Sequence, residues 1–406
     1  MRTVLAAIAF FGILTAYFLL RPWREAMGLE GGVSSVSRLF LITALVTLAL
    51  QPIYGMLVNR VSRRRLAPAI LLGAAMCLVG FAWVPQALDA GASDATRRLV
   101  GQAFYVWLSV FNLFAVSVFW QLMVDTHPLD ASKRHFGPIS IGGTLGAAIG
   151  SAITMRYAIV LGPRASFLIA AALLAVAAIV LMMYARRSLV SPRGSESRRP
   201  PPWQGLADVL RQPYLLAIVG YLAIYPVLST FWYFTKLGLI ESAIVGTAER
   251  AAFLGRVELI AQVATLVVQA VVLGPVLRRL GTGLALAALP VAFALGFLVL
   301  GLDLLPALTL VALLDAGRRV ANNGLAKPAR ETLFTVLPRD QRYKAKNVLD
   351  TFIYRASDAA GSLAWRAGVG SLPVAGLATV AVACCAAWMC VGIGLGRAQA
   401  RRAHAQ

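Results

Sequence analysis

Ser188-Leu-Val-Ser-Pro-Arg-Gly-Ser-Glu-Ser-Arg-Arg-Pro-Pro-Pro202 decides how the chain is divided. Ser, Pro, Gly and Arg dominate it, and it has almost nothing to bury, which is the composition of a linker. Six apolar runs precede it: Val4–Leu20, Leu39–Val58, Leu66–Pro85, Leu99–Leu122, Ile139–Leu161 and Phe167–Tyr184. Six follow: Tyr214–Phe234, Val257–Leu277, Leu284–Gly301, Leu304–Ala321, Val348–Trp365 and Pro373–Leu395. Each run is near the ~20 residues that cross a bilayer as a helix. The spacing predicts an all-α membrane protein of twelve transmembrane helices in two six-helix bundles. The expected bounds are 1–187, a cytoplasmic linker over 188–207, and 208–406. Met1-Arg2 and the apolar run after it read as a retained first span, because no A-x-A-like cleavage site follows.

Composition agrees. Of 406 residues, 59% are hydrophobic and 14% charged, whereas soluble domains carry about 25% charged residues. The net charge of +21 comes from 38 Lys and Arg against 17 Asp and Glu. On a soluble chain it would suggest nucleic acid. Here topology absorbs it. Arg60 and Arg63–Arg65, Lys133 and Arg134, Arg186 and Arg187, Arg278 and Arg279, Arg339 to Lys346, and Arg397 to Arg402 all fall in even-numbered connections or the tail. The positive-inside rule makes that side the cytoplasm, with both termini on it. No nucleic-acid partner is expected. Cys77, Cys384, Cys385 and Cys390 lie in apolar runs, and His127, His135 and His404 are scattered, so no metal or cofactor is expected.

Ionised side chains within spans carry the functional signal, since each costs roughly 2.5–3.5 kcal/mol at the bilayer centre and needs a cavity or a partner. In the tenth span Asp315, Arg318, Arg319, Asn322 and Asn323 fall at offsets 0, +3, +4, +7 and +8, one helical stripe. The eleventh carries Lys346, Asp350, Tyr354 and Asp358 in steps of four, with Arg355 beside them. Asp358–Arg318 and Asp315–Arg355 are the expected interhelical pairs. The first span ends with Arg21, Arg24 and Glu25, with Pro22 expected to disturb the helix between them. The eighth has Glu258, Gln262, Thr265 and Gln269 on one face. Lys236, following Phe231-Trp-Tyr-Phe234, reads as part of an interfacial belt. Gly142, Gly146 and Gly150 in the fifth span permit close helix packing. No G-x-x-x-x-G-K-[ST], H-E-x-x-H or G-x-S-x-G occurs, and no nucleophile–base constellation indicates an enzyme.

Gly55-Met-Leu-Val-Asn-Arg60-Val-Ser-Arg63-Arg64-Arg65 resembles the G-x-L-x-D-R-x-x-R-R-R loop of the major facilitator superfamily, with Asn59 in place of aspartate. Gly274-Pro-Val-Leu-Arg278-Arg279 resembles a degenerate copy, and Gly137-Pro-Ile-Ser-Ile-Gly142-Gly143 the antiporter motif. Within the superfamily the chain resembles the ATP/ADP translocase-like branch. The segments that carry this are Leu20-Arg21-Pro-Trp-Arg24-Glu25, Phe104-Tyr-Val-Trp107 with Ala131-Ser-Lys133-Arg134, Ala251-Ala-Phe253-Leu-Gly255-Arg256, and Lys327-Pro-Ala-Arg330-Glu331 through Tyr343-Lys344-Ala-Lys346-Asn-Val-Leu-Asp350. The resemblance implies a nucleotide exchanger whose helices bind phosphate through basic residues. Arg24 then stands for the first-helix lysine, and Lys344 and Lys346 for the basic pair before the eleventh helix. Ser109 replaces the fourth-helix glutamate and Asp358 an eleventh-helix lysine.

The expectation is a secondary active transporter in a bacterial inner membrane, monomeric, working by alternating access. Its substrate is expected to be an organic anion, with a nucleotide or phosphorylated metabolite as the class the resemblance implies. Arg21, Arg24, Arg318, Arg319, Asn322, Asn323, Arg355, Lys344 and Lys346 are the candidate substrate ligands. Glu25, Glu258, Asp315, Asp350 and Asp358 are candidates for ion pairing or a coupling proton. Two alternatives stay open: a proton-coupled exporter of hydrophobic or cationic compounds, using Tyr221, Tyr225, Trp232 and Tyr233, and a non-transporting membrane scaffold or sensor.

Overall fold

A computed structural model describes residues 2–89, 93–126, 129–187, 211–337 and 353–404. The described residues are almost wholly helical. In chain order the helices are α1 (Arg2–Gly28), α2 (Gly32–Arg60), α3 (Arg63–Asp89) and α4 (Asp94–Thr126). The run Leu129–Arg187 reverses at Gly162, whose φ of 64° suits a residue without a Cβ. It therefore makes two helices, α5 (129–161) and α6 (163–187). Then come α7 (Pro213–Ala243), α8 (Thr247–Val267, Val268–Val272 and Leu273–Arg279), α9 (Gly281–Gly301) and α10 (Ala307–Val320, Ala321–Ala326 and Lys327–Leu333). The last two are α11 (Tyr354–Arg366) and α12 (Val374–His404).

Two boundaries differ from the hydropathy reading. α1 continues unbroken through Pro22 to Gly28, so Arg21, Arg24 and Glu25 stand on a helix and not beyond its end. Pro22 removes one backbone donor without ending the helix. α10 extends past Ala321 to Leu333, and its second half contains Lys327, Arg330 and Glu331. The α9–α10 turn is short, and Asp303 takes a left-handed φ of 50°, a conformation aspartate tolerates.

The chain forms two compact units: Met1–Glu196 with Ile244–Leu259, and Ser197–Ala243 with Ile260–Gln406. The division falls inside α8, between Leu259 and Ile260. In the first unit α1 lies along α5. A Cβ on Gly142, Gly146 or Gly150 would meet the backbone carbonyls of Ala7, Phe11 and Thr15 respectively. Two four-residue periods thus face one another, and the absent side chains let the two backbones touch. Phe10 stacks on Phe119 of α4 with centroids 4.6 Å apart. Trp23, Phe104, Phe167 and Tyr184 complete the buried core of this unit. The first part of α8 joins it at Gly255, where a Cβ would lie 2.8 Å from the Met155 nitrogen. In the second unit α9 packs on α12 through Gly283 and Gly396, and α11 packs on α7 through Gly361, with Trp232, Phe293, Phe297 and Trp388 buried. Exposed Leu45, Met76, Val160, Val271 and Leu313 give the helices the apolar outer surface that lipid requires.

Candidate functional site

The second unit holds a buried charge cluster centred on Asp315 of α10, which is fully buried. Its Oδ1 accepts hydrogen bonds from Arg318 Nη2 at 2.8 Å, Arg318 Nε at 3.1 Å and the indole N–H of Trp232 at 3.0 Å. Its Oδ2 faces Arg319 Nη2 at 2.8 Å and Lys236 Nζ at 3.8 Å. The two arginines reach it by helical spacing alone, one turn after the aspartate. Lys236 and Trp232 reach it from α7. Lys236 is therefore a fully buried ion-pair partner, and its assignment to an interfacial belt is corrected. A signal for this was present: Tyr225, Ser229, Trp232 and Lys236 make a stripe along α7. The stripe meets α10 at each level. Arg318 Nη1 donates to Ser229 Oγ at 3.3 Å, and Asn322 Nδ2 donates to the Tyr225 hydroxyl at 3.0 Å.

The α10 stripe does not run straight through. Ala321–Ala326 is π-helical, and the wider turn changes the register. Asn322 stays half-buried against Tyr225, while Asn323 is exposed and enters the described contacts through its backbone carbonyl. Asp315 finds its interhelical partner on α7. Asp358 is half-buried on α11. Lys344, Lys346, Asp350 and the Arg355 side chain lie outside the described residues.

The first unit holds a second cluster. Arg21 Nη1 donates to Glu258 Oε1 at 3.0 Å, linking α1 to α8. Arg24 Nη2 donates to Glu25 Oε1 at 3.3 Å and Nη1 to Ser109 Oγ at 3.2 Å, and the guanidinium lies 5.0 Å over the Tyr105 ring. Glu25 and Glu258 are both buried. Each carboxylate needs a cation there, because an ion without a partner loses its hydration for nothing. Ser109, the position where the resemblance implies a glutamate, is a hydrogen-bond acceptor for Arg24. Away from these clusters, Arg63 at the start of α3 pairs with Asp125 near the end of α4 at 2.7 Å. The described residues contain no group of His, Cys, Asp or Glu able to hold a metal.

No protein-family model matches the chain, and no curated protein matches it. Solved structures do. A bacterial homologue of the iron transporter ferroportin, in an inward-facing state, superposes with a TM-score of 0.63 at 14% identity, covering 97% of this chain and 98% of its own. A POT-family peptide transporter gives 0.64 at 13% identity over 99% and 97%. A mutant of the nucleoside transporter NupG gives 0.61 at 12% identity over 99% and 100%. At such identities the likeness shows the fold, and the fold is that of the major facilitators.

Proposed function

We propose that this chain is a secondary active transporter of small organic anions, working by alternating access. It would sit in a bacterial inner membrane as a monomer with both termini cytoplasmic, its two bundles joined by the linker over 188–207. One observation carries the reading. In the second unit Lys236, Arg318 and Arg319 gather around a single carboxylate, Asp315. Among the described ion pairs three cations face one carboxylate. A buried excess of positive charge in an apolar surround is unfavourable alone and is relieved by an arriving anion. Arginine's planar fork favours carboxylate or phosphate as that anion. Nucleotides and phosphorylated metabolites, the class implied by the translocase-like segments, are the first substrates to try. Exchange of one for another, as in an antiporter, fits a site that is disfavoured when empty. Asp315 would hold the two arginines in register, and Glu258 and Glu25 would do the same for Arg21 and Arg24. Glu258 is also the candidate for a coupling proton.

The test is thermal unfolding of the purified protein with ATP, ADP, sugar phosphates, dicarboxylates and lipophilic cations. A ligand at a hundred times its Kd adds about 2.7 kcal/mol to apparent stability. An anion is expected to raise the unfolding temperature of the wild type and to fail with Arg319→Ala. A folded Arg319→Lys variant that also loses the shift establishes a two-pronged contact. Stabilisation by lipophilic cations alone, with no anion effective, overturns the reading in favour of an exporter of cationic compounds.

A further inference from the structure

α8 and α10 each widen into a short stretch of π helix, Val268–Val272 and Ala321–Ala326. The two stretches pack on each other within the second unit. Gly324 provides the space: a Cβ there would stand 2.9 Å from Val268 Cγ1. Gln269 provides the link, its Nε2 donating to the Asn323 carbonyl at 2.9 Å.

The chain chemistry explains why that carbonyl needs a side-chain donor. In the π pattern each carbonyl pairs with the N–H five residues on. The Lys327 N–H accordingly goes to the Asn322 carbonyl. The next donor in this series would be residue 328, which is proline and has none. Asn323 is thus left without a backbone donor by sequence, and Gln269 of the neighbouring helix supplies one. The α8 stretch has the same bond pattern, with the Leu273 N–H on the Val268 carbonyl, but the next residue is Gly274, which keeps its donor, and the proline follows at 275.

Packing then separates α8 into a held part and a loose part, whereas α10 stays packed beyond its π turn, burying Ala329, Arg330 and Leu333. The first part of α8 buries Ala251, Leu254, Val257, Glu258 and Ala261. From Val268 to Arg279 it buries nothing. Helices bend where the α ladder is interrupted, and weakly buried segments open first. Two interruptions lie side by side here, fastened by one hydrogen bond, immediately after the turn that carries Arg318 and Arg319.

We propose that the two π turns are a single hinge clasped by Gln269, about which the distal part of α8 swings against α10 while the Asp315 cluster keeps its geometry. Gln269 is a positioning residue: it acts on the arginine-bearing helix through the Asn323 carbonyl and touches neither arginine. The use of this motion to admit substrate rests on the transport reading, but the hinge itself does not, so it is tested without substrate.

The experiment is amide hydrogen exchange on the full-length purified protein, comparing wild type with Gln269→Ala, Gly324→Ala and Gly317→Ala. Loss of the clasp in Gln269→Ala should speed exchange over 321–326 roughly fivefold, the factor for one intramolecular hydrogen bond. Exchange over 229–236 of α7 should not change. Gly324→Ala places a methyl against Val268 and should speed exchange over 268–272, on the other helix. Gly317→Ala, whose methyl meets nothing within 4 Å, should alter neither stretch. If each substitution changes exchange only in its own helix, the shared hinge is wrong. Faster exchange spread evenly over the second unit also overturns it, since that reports lost stability and not a joint. Should Gly324→Ala fail to fold, Gln269→Ala decides alone through its effect on 321–326.

Discussion

Two charge clusters, one in each unit, both set arginines against buried carboxylates and differ in the balance of the two signs. In the first, Arg21 and Arg24 are matched one for one by Glu258 and Glu25, and Ser109 and Tyr105 take up the rest of Arg24. In the second, three cations share Asp315, and the indole of Trp232 takes one of its remaining acceptor positions. A balanced cluster behaves as a fastening, because every ion already has its partner. An over-subscribed carboxylate behaves as a keystone. It holds together cations that would otherwise repel one another. Buried charge alone therefore does not distinguish the two clusters, whereas the ratio of the two signs among their described pairs does.

Removing the keystone should have the largest effect. Asp315→Ala leaves Lys236, Arg318 and Arg319 adjacent with no anion between them, and breaking a buried pair in this way costs about 3–5 kcal/mol. Thermal unfolding in detergent checks it. A loss no larger than that of a surface substitution would show that another carboxylate neutralises the cluster. Next comes the fastening of the first unit. Glu258→Gln keeps the shape and one acceptor but removes the charge facing Arg21, and should cost about 1–2 kcal/mol. An equal or greater cost than Asp315→Ala would reverse the order of the two clusters. The smallest change is expected from Lys236→Met, which keeps volume and leaves Asp315 with both arginines. It should cost about 1 kcal/mol or less, and restore stability when combined with Asp315→Ala. Additive losses in the double variant would mean that Lys236 and Asp315 do not interact.

Much of this was legible in the sequence. Most of the helices follow from apolar run length, and a closely packed face on α5 follows from Gly142, Gly146 and Gly150 at a period of four, although not that α1 is what packs there. Asp315, Arg318 and Arg319 announce their shared face by spacing. The contacts between distant segments were not legible. Nothing local indicates that Arg21 will meet Glu258, which lies 237 residues on. A lysine beside four aromatic residues has the composition of a membrane interface, and only the matching stripe of Tyr225 and Ser229 points Lys236 inward. The asparagines were read on an ideal α period, which the π turn before Pro328 interrupts. The remaining candidates, Lys344, Lys346 and Asp350, lie outside the described residues.

α10 has one further consequence, in the order of synthesis. Eight helical runs among the described residues are long and apolar enough to enter a bilayer on composition alone, and α10 is not among them. Asp315, Arg318 and Arg319 would each oppose its partition into lipid. By the time α10 leaves the ribosome, α7 has already been made, and Lys236 and Trp232 await the aspartate. Integration of α10 is thus a docking event on an earlier helix. A ribosome stalled before α7, or a chain lacking it, would be expected to leave α10 outside the membrane although its own sequence is intact.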